Sequence, residues 1–194
     1  MSLGERVLLA RLVRRDEEAF SEVVRSYSDR VYSLVLRLVG SPSEAEDIAQ
    51  EVFVTVFKNI ESYRGEAKLS TWILRIAANH SKNRIKYLAR RRTSGGELRD
   101  GTDATDVADE GKAPAQAHFQ APDLMLEAAE TERIMQAAIA QLEDEQRLLV
   151  VLRDVEELSY DEIVEITGLP EGTVKSRLHR ARMALKDLLE GKLK

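Results

Sequence analysis

Apolar residues recur along nearly the whole chain at helical spacing, and no run of strand-like alternation competes with them. Leu8, Leu9, Leu12 and Val13 form a first stripe. Phe20, Val23, Val24 and Tyr27 lead into a second, at Val31, Leu34, Val35 and Leu38. Gly40 and Pro42 then interrupt the pattern, and Ser43 with Glu46 reads as a capping box for the helix that follows. That helix has its buried stripe at Ala45, Ile48, Ala49, Val52 and Val56, and a separate acidic face at Asp47, Gln50, Glu51 and Val54. By itself such a face reads as solvated surface. A further helix is expected from about Ser70, its N-cap, with Ile73, Ile76, Ala77 and Ile85 turned to a core.

Periodicity stops at Thr93. From there to Pro122 the chain is rich in Gly, Asp, Thr, Ala and Pro, too poor in apolar residues to offset its ordering entropy, and reads as a flexible acidic linker. Helix resumes over Asp123 to Leu152, with Leu126, Ala129, Ile134, Ala138 and Leu142 followed by the apolar run LLVVL. Near the C-terminus Ser159 and Glu162 form a second capping box, Gly168 supplies a turn, and Pro170 suits the first turn of a last helix that buries Val174, Leu178, Ala181 and Leu185. The pattern gives an all-α chain of two small helical domains, joined by a linker.

Charge changes this picture. The chain of 194 residues has a net charge of -5, yet Tyr63 to Arg92 holds nine basic residues against Glu66 alone. Arg75, Asn79, Lys82, Lys86 and Arg90 recur at steps of three and four and align along one face of the expected helix. Clustered cations displace counterions from phosphates, and carboxamides and aromatic rings hold bases outside a duplex. The face suits single-stranded DNA, and equally a plain solvated basic helix with Trp72 in the core. The segment from Asp123 to Pro170 is acidic and is not expected to touch phosphates. The last helix is basic again: Lys175, Arg177, Arg180, Arg182 and Lys186 surround its apolar stripe. Two short helices joined by a glycine turn, the second so charged, fit a helix-turn-helix for duplex DNA; a structural helical hairpin, the competing reading, would not require such one-sided charge. Lys175, Ser176 and His179 would project into a major groove, and Arg177, Arg180 and Arg182 would meet phosphates or guanine edges.

Other chemistry finds little support. The chain has no cysteine, and His80, His118 and His179 lie far apart, so neither a disulfide nor a metal site is expected. No phosphate loop, nucleophile elbow or HExxH pattern occurs, so no catalytic residue and no cofactor is expected. No window approaches a membrane span, and charges interrupt the N-terminal apolar run, which points to a cytoplasmic chain with no membrane insertion.

Several runs stand in a recognisable order: DIAQEVF from Asp47 to Phe53, YRGE from Tyr63, TWILRIAAN from Thr71 to Asn79, SYDEI from Ser159, and GTVKSRLHRAR from Gly172 to Arg182. Together they resemble the extracytoplasmic-function (ECF) group of bacterial RNA polymerase sigma factors of the sigma-70 family, over nearly the whole chain. The resemblance implies a region 2 helical bundle over residues 1–92, a linker over 93–122 and a region 4 helix-turn-helix over 123–194. It implies that Asp47, Gln50, Glu51 and Phe53 dock on the polymerase, whose largest-subunit clamp helices and flap are the expected contacts. Tyr63, Arg64, Leu69, Ser70, Trp72, Asn79, Lys82 and Asn83 would capture and melt the -10 element. Lys175, Ser176, Arg177, His179, Arg180 and Arg182 would read the -35 element. His179 stands where some relatives carry an aromatic residue, and the linker is longer and simpler than the family's pattern. An inhibitory anti-sigma factor is the further partner implied. The reading that competes is a stand-alone regulator, using only the C-terminal helix-turn-helix and needing a dimer interface.

Overall fold

The computed structural model describes residues 3–93 and 122–190, all of them in helices, turns and short connections, with no strand among the described residues. The expected linker, apart from Thr93 and Pro122 at its ends, lies outside the described residues.

The N-terminal half is built on three long helices. After α1 (Leu3–Val13), helix α2 (Glu17–Val39) starts where the Asp16 carboxylate accepts from the Ala19 N–H at 3.0 Å. It ends at Gly40, whose φ of 78° is the left-handed conformation that glycine adopts without a Cβ penalty. Helix α3 (Pro42–Asn59) and, after a 3-10 turn over Ile60–Ser62, helix α4 (Leu69–Thr93) pack on α2 and on each other. Val23, Val31, Leu34, Val35, Ile48, Val52, Val56, Ile73, Leu74 and Ala77 fill the space between them and are almost wholly buried.

The C-terminal half holds α5 (Pro122–Ile139), α6 (Asp144–Val150), α7 (Tyr160–Thr167) and α8 (Glu171–Glu190). The Ser159–Glu162 capping box forms as expected, and Gly168 closes α7 at φ 69°. Val174, Leu178 and Ala181 of α8 pack under α6 and α7, each buried to 1% exposure or less.

Five local expectations need correction. The α3 cap is Ser41 rather than Ser43: Pro42 lacks an N–H and takes the first helical position, so the Ser41 hydroxyl accepts from the Glu44 N–H and Glu46 has no part in a box. Helix α4 starts at Leu69, so Ser70 lies within its first turn; the Glu5 carboxylate accepts the Leu69 N–H at 3.3 Å and serves in place of a cap. The helix expected over Asp123 to Leu152 is broken after Ile139, where Gln141 and Leu142 form tight turns back to Ala138 and Ile139. Arg147 donates to the freed Ala140 and Leu142 carbonyls at 2.7 and 3.0 Å. After α6 the run becomes a π turn over Val151–Val155, whose wider coil lets Leu149, Val150, Val151 and Leu152 all stay within 2% exposure. Pro170 precedes α8 and contributes its carbonyl, which accepts from Thr173 and Val174. Helix α8 itself is 20 residues long, not short.

The two halves meet. Their buried residues form one continuous apolar cluster, with α7 lying on α4. At its margin Arg30 donates to the Glu156 carboxylate at 2.6 Å, and Arg147 to the Leu38 carbonyl at 2.7 Å.

Candidate nucleic-acid interface

The N-terminal end of α4 and the loop before it form a cleft of about 210 Å³ lined by Ser62, Tyr63, Arg64, Glu66, Ala67, Trp72, Arg75 and Glu165. Tyr63 and Trp72 are the aromatic members of this lining. The Tyr63 and Trp72 rings lie 5.3 Å apart at 45°, and the Tyr63 hydroxyl donates to the Ala67 carbonyl at 2.6 Å, which pins the loop over the helix start. Both rings are about nine-tenths buried, and burial raises the Tyr63 phenol above its ordinary pKa, so it stays a neutral donor. Leu69 is buried and supports the turn rather than facing solvent, and Ser70 is half-buried. Arg64 and Arg75 are exposed at the rim.

Further along α4 the expected row is present: Arg75, Asn79, Lys82, Lys86 and Arg90 are all exposed, with Asn83 beside them. Asn79 and Lys82 border a second cleft whose other wall is Glu145, Leu148, Leu149, Ile166, Thr167 and Leu169 of the C-terminal half. The basic row therefore faces acidic neighbours. Lys68 Nζ lies 3.0 Å from the Glu162 carboxylate, the buried Thr71 hydroxyl donates to the same oxygen at 3.2 Å, and Arg75 lies 3.7 Å from Glu165. Burial pushes the Glu162 carboxyl up, but hydrogen bonds from the Ser159 N–H, Lys68 and the Ser159 hydroxyl outweigh it and hold the pKa at about 2.

On α3, Asp47, Gln50 and Glu51 are exposed in one patch with the half-exposed Val54. Phe53 is not part of that patch: at 8% exposure it packs inward, because it lies on the buried stripe of α3. Helix α4 supports the patch through His80, whose Nδ1 is 3.3 Å from Glu51 and whose Nε2 is 3.1 Å from the Thr55 hydroxyl. Arg84 pairs with Glu44 and reaches towards Asp47.

The helix-turn-helix separates its cations into two sets. Lys175, Ser176, His179 and Arg180 share one exposed face of α8, and His179 and Arg180 form no ion pair with a described residue. Lys175 is held by Glu171 at 2.6 Å and sits 5.1 Å over the Tyr160 ring, which presents its ammonium near the helix start. Arg177 and Arg182 turn back into their own domain, paired with Glu145 and Asp154. The sequence did not single out those two acids, nor Glu162 and Glu165 as partners of α4; only the acidic balance of their segment hinted at them.

Among the described residues no His, Cys, Asp and Glu group is placed to hold a metal ion, and no helix is long and apolar enough to cross a membrane.

Comparison with known proteins follows the same division. Residues 23–92 match the family Sigma-70 region 2, and residues 132–185 match Sigma-70, region 4. The chain is 37% identical over 179 residues to the ECF RNA polymerase sigma factor SigW of Bacillus subtilis (strain 168), covering 90% of each chain. It is 33% identical over 183 residues to the ECF RNA polymerase sigma-E factor of Escherichia coli (strain K12), covering 94% of this chain and 93% of that one. Among solved structures, the sigma factor RpoE in complex with the anti-sigma factor NepR from Bartonella quintana has a TM-score of 0.66 at 22% identity, covering 88% of this chain and 96% of that one. CnrH in complex with the cytosolic domain of CnrY has a TM-score of 0.66 at 19% identity, with 96% and 97% covered. The last two likenesses are of fold.

Proposed function

The chain belongs to the ECF RNA polymerase sigma factors, and from that premise we propose how its surfaces divide the work of promoter recognition. The chain binds core RNA polymerase, directs it to promoters with defined -35 and -10 elements, and promotes strand opening. It acts in the cytoplasm as an initiation factor, while the polymerase supplies the catalysis.

The observation that carries this reading is the cleft beside Tyr63 and Trp72 at the head of an exposed basic row on α4. Arg64, Lys82 and the other cations of the row attract phosphate. A base rotated out of the duplex gains polar partners at the loop between Tyr63 and Trp72 and at Asn79, which offsets the few kcal/mol of unstacking. Tyr63 and Trp72 line the cleft and Leu69 is buried at the start of α4, while Arg64, Asn79, Lys82 and Asn83 offer exposed polar atoms. Opening begins here. Upstream, the α8 face of Lys175, Ser176, His179 and Arg180 fits the major groove of the -35 element, with Arg177 and Arg182 bracing the helix. Asp47, Gln50 and Glu51 form the polymerase-docking patch on the clamp helices, and Phe53 supports it from within. The domains extend over 1–92 and 123–194, and the acidic segment 93–122 spans polymerase between them.

Neither DNA contact needs to be strong. Tethering through polymerase makes the second contact intramolecular and raises its effective concentration. An anti-sigma protein that covers polymerase-facing surfaces of both domains would hold the factor inactive.

The test is transcription by core polymerase on a library of upstream fragments, with and without this chain. Initiation from a defined subset only when both are present supports the reading. A chain that leaves polymerase unaffected but alone retards a palindromic duplex is a stand-alone regulator.

A further inference from the structure

A groove of about 440 Å³ on α3 is lined by Asp47, Gln50, Glu51, Val54, Thr55 and His80, so the acids of the docking patch share it with a histidine from α4. The His80 side chain is 28% exposed, against 61% for Glu51. Its Nδ1 lies 3.3 Å from the Glu51 carboxylate, and its Nε2 lies 3.1 Å from the Thr55 hydroxyl. That hydroxyl already donates to the Glu51 carbonyl at 2.8 Å. Its oxygen is therefore left to accept, and an ionised carboxylate accepts only. Both ring nitrogens thus face acceptors. An imidazolium satisfies both, whereas a neutral ring has one N–H and keeps both contacts only if Thr55 gives up the carbonyl.

We propose that His80 is a proton-sensitive positioning residue of the polymerase-docking patch: protonated, it holds Glu51 in an ion pair, and neutral, it releases Glu51 to a basic surface of polymerase. This inference rests on the docking role of Asp47, Gln50 and Glu51 argued above. The groups around the ring fix its sign. Glu51 and Thr55 of α3 touch it, Asp47 lines the same groove, and Arg84 of α4 pairs with Glu44 and reaches towards Asp47. Carboxylates and guanidinium groups keep their charges across the neutral range, and imidazole does not. A proton on His80 takes the lining from the two negative charges of Asp47 and Glu51 to one net, and it commits the Glu51 oxygens that a partner's cation needs. Docking therefore weakens as pH falls through the histidine range and recovers as pH rises. The pair is partly exposed, so its effect is modest and is screened by salt.

The test measures the affinity of the full chain for core polymerase from about pH 5.5 to about pH 8, on either side of the ordinary histidine range, at fixed ionic strength. Wild type is compared with His80→Gln, whose amide keeps a donor for Glu51 without titrating, with His80→Lys, a fixed cation, and with Glu51→Gln. His118 and His179 are present in all four, so their titration cancels. Relative to His80→Gln, which reports the pH response of everything else, wild-type affinity is expected to fall roughly twofold to fivefold towards the acid end, the scale of one partly exposed ion pair. His80→Lys should stay at the weak, acid-like level throughout. A residue that merely supports the fold would shift affinity alike at every pH and leave the slope unchanged. A His80→Gln slope equal to that of wild type overturns the proposal, as does tighter wild-type docking at the acid end. Glu51→Gln separates the two readings. If it weakens docking while His80→Gln follows wild type, the patch stands and only the role of His80 falls; if it binds as wild type at every pH, the patch is not the docking surface and both fall.

Discussion

At the head of α4, Arg75 and the preceding Lys68 meet carboxylates from the other half of the chain, whereas on α8 His179 and Arg180 face solvent and the acids nearby hold different residues. The α4 surface is concave and rests on buried aromatic rings; the α8 surface is one convex side of a helix. A groove reader meets a preformed duplex and needs only an accessible row of donors. A surface that takes bases out of a stack needs walls and a floor, and such a cleft also admits the chain's own side chains. Positive charge alone does not distinguish the two tasks; shape and neighbours do.

The comparison breaks most readily at the aromatic lining of the cleft. Trp72→Ala removes a nearly buried indole and is expected to cost about 3–5 kcal/mol of stability. Chemical denaturation would show it, with strand opening lost before helix content. Next comes the groove face. Arg180→Ala is expected to weaken -35-dependent initiation by about 1–3 kcal/mol per promoter contact, without altering the fold, when promoters with and without that element are compared. Arg177→Ala, at a residue paired with Glu145, should affect stability more than promoter preference. A smaller effect is expected from Ser159→Ala, which removes the α7 cap and costs about 1 kcal/mol in thermal unfolding. The pH dependence sharpens the contrast further. Glu162 ionises at about 2 in the folded chain against an ordinary 4.5, so its contribution is complete above that ordinary value and is lost as pH falls towards 2. Glu162→Gln should flatten that part of the stability profile, while His179→Gln should leave it unchanged.

Much of this was legible from residue spacing. Stripes at steps of three and four located the helices, because one buried face forces that period, and Ser159, Glu162 and Gly168 marked the turn of the helix-turn-helix through local chemistry. The basic row on α4 was visible for the same reason. Pairings across long sequence separations were not. Lys68 and Glu162 meet only because α7 lies on α4, and no period in either helix encodes that packing. Likewise Arg177 and Arg182 matched their neighbours in type, yet Glu145 and Asp154 divert them. Phe53 sits inside a motif whose exposed members are Asp47, Gln50 and Glu51, and only its place on the buried stripe of α3 separates it from them. The π turn escaped for another reason: a run of apolar residues fits a regular helix and a widened one equally well.

The central claim is that α4 opens DNA and α8 reads it closed. The most direct test is initiation from one promoter supplied either as full duplex or with its -10 region mismatched into a bubble, using the wild type, Asn79→Ala/Lys82→Ala and Lys175→Ala/Arg180→Ala. A premelted template removes the unpairing step. It should restore the α4 variant to near wild-type initiation and leave the α8 variant impaired. Equal rescue of both variants, or of neither, would contradict the division of labour between the two helices.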